Sequence, residues 1–249
     1  MTMHISIAGK GGTGKTTLAA LLIRWLVENG RGPILAIDAD PNSNLNEALG
    51  MEVSGYIADI LSQARTATPS PNIPRLRMVE YQLHDVITEG DNVDLIAMGG
   101  PEGPGCYCAA NQMLREFIGR LRSNYAYLVM DNEAGMEHLS RRIAQDVDVL
   151  LITSDPTIKG IRSASRIASL SKSLELNVRR IYLVLNRAGE KTVEALSKEI
   201  EKTRLEIAGV IPEDELITKC DIEGRPLTEL PKDSPAYKAV CEIAQRIFE

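Results

Sequence analysis

Gly9-Lys10-Gly11-Gly12-Thr13-Gly14-Lys15-Thr16-Thr17 closes an apolar run, HISIAG at 4–9, and opens an apolar-periodic stretch, LAALLIRWLVENG at 18–30. The pattern is G-x-x-x-x-G-K-T between a predicted strand and a predicted helix, the setting in which it binds phosphates. Glycines at 11, 12 and 14 let backbone N–H groups of the loop, through Thr13 and Thr17, converge on phosphate oxygens. The helix N-terminus adds its positive end. Lys15 then reaches the β- and γ-phosphates of ATP, and the Thr16 hydroxyl ligates Mg²⁺.

Outward from this loop, apolar runs of strand length alternate with amphipathic stretches of helix length. The runs are HISIAG (4–9), ILAID (34–38), VDLIAM (93–98), YLVMD (127–131), VDVLLIT (147–153), IYLVLN (181–186) and IAGVI (207–211). Strands that read as continuous apolar runs are buried on both faces, so the rhythm predicts one doubly wound, mostly parallel α/β sheet flanked by helices. A single P-loop domain over residues 1–249 accommodates it. Only residues 62–76, SQARTATPSPNIPRL, break the rhythm and read as a proline-rich surface loop.

Composition narrows the function. With 44% hydrophobic and 25% charged residues the chain is globular, not disordered. No apolar run approaches membrane-spanning length and the N-terminus has no signal-peptide pattern, so a cytoplasmic protein without membrane contact is expected. Lys and Arg number 28 against 34 Asp and Glu, a net charge of −6 that disfavours a nucleic-acid partner. Arg141-Arg142 and Arg179-Arg180 are isolated pairs, read as solvated helix faces. The tail PAYKAVCEIAQRIFE puts Tyr237, Val240, Ala244 and Ile247 on one face, as a core-packed helix does.

Two strand ends carry carboxylates. Asp38-Ala39-Asp40-Pro41-Asn42-Ser43-Asn44 ends a strand adjacent to the phosphate loop, where a carboxylate can hold Mg²⁺ or orient the attacking water. YAYLVMD ends in Asp131, which fits a Walker-B carboxylate reaching Mg²⁺, and Gly135 beyond it can act as a switch pivot near the γ-phosphate.

The third informative segment is Gly99-Gly100-Pro101-Glu102-Gly103-Pro104-Gly105-Cys106-Tyr107-Cys108. Thiols one residue apart cannot easily close a disulfide on each other, yet both can face one soft ion, Ni²⁺ or Zn²⁺. Two are too few for a tetrahedral site, and a second chain supplies the other two most simply, giving an S₄ site across a twofold axis. Cys220 and Cys241 stand apart and read as ordinary buried cysteines. His4 lies in a buried-looking strand and His84 in an amphipathic stretch, neither with partners at ligand spacing; His138 reads as a histidine on the helix after Gly135, with a further ligand or a switch element as the alternative.

The extra lysine, Lys10, with K-G-G-x-G-K-T-T, makes the chain resemble the deviant Walker-A ATPases: septum-site and plasmid-partition ATPases, the nitrogenase iron protein and nickel-insertion ATPases. That resemblance implies an ATP-dependent homodimer in which Lys10 crosses to the partner's nucleotide. It makes Asp40 the switch aspartate that orients water, Asn186 the adenine contact, and Pro212 part of a loop over the base. GGPEGPGC is similar to the iron protein's cluster segment, but Ala134 stands in place of that relative's second cysteine, which argues against an iron–sulfur reductase. Cys-Tyr-Cys with AGMEHLSRR (134–142) instead resembles the CooC-type ATPases. The implied function is nickel delivery to carbon monoxide dehydrogenase or acetyl-CoA synthase, and the rival is a partition or septum-site positioning ATPase.

Overall fold

The computed structural model describes residues 2–66, 82–100, 108–134, 146–174 and 176–249. Seven strands form one sheet: β1 (Met3–Gly9), β2 (Ile34–Asp38), β3 (Val93–Ala97), β4 (Tyr127–Asp131), β5 (Asp146–Ser154), β6 (Asn177–Asn186) and β7 (Glu206–Ile211). Their order is β3-β2-β4-β1-β5-β6-β7, and every pairing is parallel. All seven predicted strands are present. β2 is not the neighbour of β1: β4 lies between them and pairs with both.

Parallel strands need crossover helices, and these cover both faces. On one face α1 (Lys15–Glu28), the short α2 (Leu45–Leu49), α7 (Glu215–Glu223) and α8 (Pro235–Phe248) pack against Ile5, Ile7, Ala36, Val129 and Leu151. On the other, α3 (Ile57–Thr66), α4 (Cys108–Leu121), α5 (Ile158–Ser173) and α6 (Glu190–Thr203) meet Leu35, Ile37, Met130, Leu150 and Ile152. Successive residues of β2 and β4 therefore feed opposite cores, which is why neither strand shows polar alternation.

The C-terminal helix is core-packed, as its periodicity predicts: Tyr237, Val240, Ile243, Ala244 and Ile247 are buried. Arg24 of α1 anchors it. Its buried guanidinium lies 3.9 Å over the Tyr237 ring, donates to Leu230 O at 2.5 Å, and pairs with Glu28 at 2.8 Å. Tyr237 Oη in turn donates to Glu28 at 3.0 Å, so the charge is fully partnered. Arg179 and Arg180 lie on strand β6, not on a helix: Arg179 pairs with Asp148 at 3.0 Å and Arg180 donates to Ile247 O at 2.8 Å.

His4, on β1, is buried as expected from its strand. Its Nδ1 bonds the carbonyl of Asp146 at 2.8 Å, while Nε2 has no hydrogen-bond partner among the described residues. Burial holds the imidazole neutral down to about 4, against an ordinary 6.5. Below pH 6.5 the unfolded chain therefore binds a proton that the folded one refuses. Stability is complete above that value and drains as the pH falls towards 4, by about 2 to 3 kcal/mol at pH 4.5. From urea unfolding, the stability of His4→Phe relative to wild type should rise by that margin between pH 7.5 and pH 4.5; parallel pH profiles would refute this.

Candidate nucleotide site

The described site residues gather at the carboxyl edge of the sheet, where open parallel sheets bind ligands. Register lines up Gly9 with Thr153, Ile7 with Asp131, and Asp38 with both Asp131 and Ala97. Lys10, Gly11 and Gly12 form an exposed rim, while Thr13 and Lys15 are buried. Lys10 to Thr13 make a turn with a long backbone bond of 3.4 Å, reinforced by the Thr13 hydroxyl donating to Lys10 O at 2.7 Å. The same hydroxyl meets Thr153 Oγ1 at 2.8 Å, tying the loop to β5. Gly14 begins α1 with φ 85, a left-handed conformation that glycine adopts without penalty.

Asn186, at the end of β6, holds the loop from the other side: Nδ2 donates to Thr13 O at 2.9 Å, and Oδ1 accepts from the amide of Arg187 at 3.1 Å. Arg187, itself left-handed with φ 55, donates to Gly12 O at 2.7 Å. Pro212 is half-buried just beyond β7 at the same sheet edge.

Asp131, predicted as a Walker-B carboxylate, ends β4 at this edge. It is buried and accepts from the Thr16 hydroxyl at 2.5 Å, while its other oxygen, Oδ1, has no hydrogen-bond partner among the described residues. Burial raises this carboxyl to about 7, partly offset by Thr16 and Lys15 and reinforced by Asp38 and Asp40. An orphaned carboxylate oxygen beside a hydroxyl is a hard-oxygen donor set that fits Mg²⁺. Thr16 and Asp131 would hold the ion, which supplies charge neutralisation at the phosphates.

Asp38, which the sequence reading did not single out, organises the loop that carries Asp40. It is fully buried and accepts from Asp40 N at 3.0 Å and Leu45 N at 2.8 Å, so it shapes the loop between them. Burial lifts it to about 6 against those two bonds. Asp40 is half-buried at the head of a turn: Oδ1 accepts from Asn42 N at 2.9 Å and Nδ2 at 3.0 Å. Asn132, also missed, bonds across to β1 through Ser6 Oγ at 2.8 Å and Ile7 O at 2.7 Å and so fixes the end of β4. D-A-D and the polar residue after Y-L-V-M-D were the available signals.

Cys106, Gly135, His138, Arg141-Arg142 and residues 67–76 lie outside the described residues; Cys108 is described only as the first residue of α4. Cys220 is buried, as expected, and Cys241 only partly so. Among the described residues no His, Cys, Asp and Glu cluster of metal-site size occurs. No described helix is long and apolar enough to cross a membrane.

The CobQ/CobB/MinD/ParA nucleotide binding domain family matches residues 5–227. Over 250 residues the chain is 38% identical to an uncharacterised ATP-binding protein of Methanocaldococcus jannaschii, covering 99% of this chain and 98% of that one. It is 28% identical over 249 residues to the carbon monoxide dehydrogenase accessory protein CooC of Rhodospirillum rubrum, with 95% and 92% covered. Among solved structures, the septum site-determining protein MinD of Pyrococcus horikoshii, complexed with Mg-ADP, superposes with a TM-score of 0.73 at 25% identity, covering 98% and 95%. With its phosphate loop clamped from β5 and β6 and Thr16 bonded to Asp131, the chain belongs to the CobQ/CobB/MinD/ParA nucleotide-binding family and is a P-loop ATPase.

Proposed function

We propose that the chain is a homodimeric, ATP-driven carrier of one thiolate-bound metal ion, nickel first, for a carbon monoxide dehydrogenase or acetyl-CoA synthase client. The observation that carries this reading is where the chain sets out towards the cysteine pair. Met98, just past β3, donates to Asp38 O at 2.8 Å, so the chain that continues to Cys106 and Cys108 starts on the loop holding Asp40. Similarity to the CooC accessory protein supports the cargo. Metal and nucleotide would then favour one closed dimer, each raising affinity for the other.

Within that reading the residues divide the work. Lys10, exposed on the loop rim, is free to reach the partner's phosphates and stabilise charge on the transferring group. Asp40 orients the attacking water, and Gly135 supplies the pivot. Asn186 spends one amide hydrogen on Thr13 and one lone pair on Arg187, leaving a donor and an acceptor for the base. Adenine offers that complement on its N6 and N7 edge, whereas guanine presents two acceptors.

An anaerobic Ni²⁺ titration with light scattering, with and without ATP, tests the proposal. About one ion per two chains is expected, bound with dimerisation and lost in Cys106→Ala and in Cys108→Ala, while ATP binding by the monomer persists. Dimerisation by ATP with no metal bound would overturn the carrier reading. A positioning ATPase of the partition or septum-site kind, to which the likeness to MinD points, would take its place.

A further inference from the structure

Asp40-Pro41-Asn42-Ser43 is a tight turn with Asp first and Pro second, closed by Ser43 N donating to Asp40 O at 3.0 Å. The fourth position of such a turn favours glycine, and here Ser43 adopts φ 47. A serine held left-handed is strained, so something must repay it. Its hydroxyl supplies the compensation: it donates to Asp40 O at 3.2 Å and accepts from the buried amide of Gly99 at 3.2 Å. That hydroxyl carries one hydrogen, and both of its roles are filled.

The far side of this contact has little freedom. Gly99 has φ 69, and a β-carbon there would meet Cβ of Tyr56 at 2.6 Å. Tyr56 bridges to Ala97 at the end of β3, and Met98 O accepts from Ala58 N at 2.9 Å. Gly100 stands against the carbonyl of Pro41, which a β-carbon would approach to 3.5 Å. The Asp40 turn and the Gly99-Gly100 backbone thus touch at two successive residues, with one side-chain hydrogen bond between them.

We infer that Ser43 is a positioning residue that transmits rearrangement of the Asp40 turn to Gly99-Gly100, and so to the chain leading into Cys106 and Cys108. Swinging the Asp40 carboxylate so that Oδ1 leaves Asn42 breaks both bonds to that residue, which reshapes the turn and moves Ser43 Oγ. The Gly99 amide is buried, so an unpaired N–H there is costly and its backbone follows the acceptor. Relief of the strain at Ser43 and loss of its bond to Gly99 oppose each other with similar size, the condition for two nearly balanced arrangements. This inference rests on the proposed link between nucleotide and thiols but needs no metal.

Metal-free protein is labelled with a maleimide, with and without a non-hydrolysable ATP analogue, and Cys106 and Cys108 are followed by peptide mass spectrometry. In wild type the analogue is expected to change their labelling rate about fivefold or more. Ser43→Ala, which keeps the strain, and Ser43→Gly, which removes it, should both reduce that response below about twofold, with nucleotide affinity within about threefold of wild type. Retention of the response in Ser43→Ala, whatever the change in melting temperature, overturns the inference, as does the absence of any response in wild type. Failure of nickel binding leaves this measurement unaffected, so the two readings fall separately.

Discussion

Gly14→Ala is expected to lower ATP affinity by at least about 100-fold while leaving a cooperative thermal transition. Two independent penalties act at this position. The backbone is left-handed at φ 85, which costs a residue with a β-carbon about 1 to 2 kcal/mol. That β-carbon also falls onto the Asn186 amide. Moving the amide breaks its 2.9 Å bond to Thr13 O, for about 1 kcal/mol more, and withdraws the group proposed to read the base. Together about 3 kcal/mol opposes the phosphate-binding shape of the loop; the unliganded loop relaxes out of it and must recover it to bind, which corresponds to the stated loss. Gly14 caps α1 and is not part of either apolar core, so folding survives. Calorimetric titration with ATP decides it: affinity within tenfold of wild type would mean that loop and Asn186 move aside at little cost.

The parts legible in the sequence were those fixed by local chemistry. All seven strands could be read because each is apolar on both sides, and the G-K-T-T loop could be read because phosphate binding needs that spacing of glycines. The order of strands could not. Nothing in ILAID or YLVMD says that β4 inserts between β1 and β2, since both runs are uniformly buried and carry no register signal. Arg179 and Arg180 were misplaced for the same reason: the strand IYLVLN extends back to Asn177 through residues paired with side chains distant in sequence. Asp40 attracted attention as a motif residue, whereas Asp38, fully buried, organises the loop through backbone amides that no pattern displays. Long-range hydrogen bonds such as Ser43 to Gly99 and Arg187 to Gly12 depend on topology and are silent in the chain itself.

The largest expected stability loss outside the apolar cores belongs to Asp214→Ala. This carboxylate caps α7 through Leu216 N at 2.9 Å and reaches the start of α8 by accepting from Ser234 Oγ at 2.6 Å and Ala236 N at 3.1 Å. Ser234 is itself fully buried and accepts from Tyr237 N at 3.1 Å, so one side chain orients the first turns of two helices. Burial pushes the Asp214 carboxyl up, yet these three donors hold it below the usual carboxylate range. Truncation to alanine strands them in a site water reaches poorly. The cost is about 4 kcal/mol, or about 10 °C in Tm for a chain of this size. Because the folded-state pKa is depressed, the stabilisation is complete above the unfolded carboxylate value near 4 and is lost as the pH falls through the folded one. The Tm gap between wild type and Asp214→Ala should therefore be widest at neutral pH and narrow below about pH 4. Asp214→Asn should recover only the Leu216 contact, since its Nδ2 cannot accept from Ser234 or Ala236. A gap under about 1 kcal/mol at pH 7 would mean that water fills the vacated site. The consequence reaches the nucleotide: Pro212 lies two residues before this anchor, so loosening α7 and α8 frees the loop proposed to cover the base.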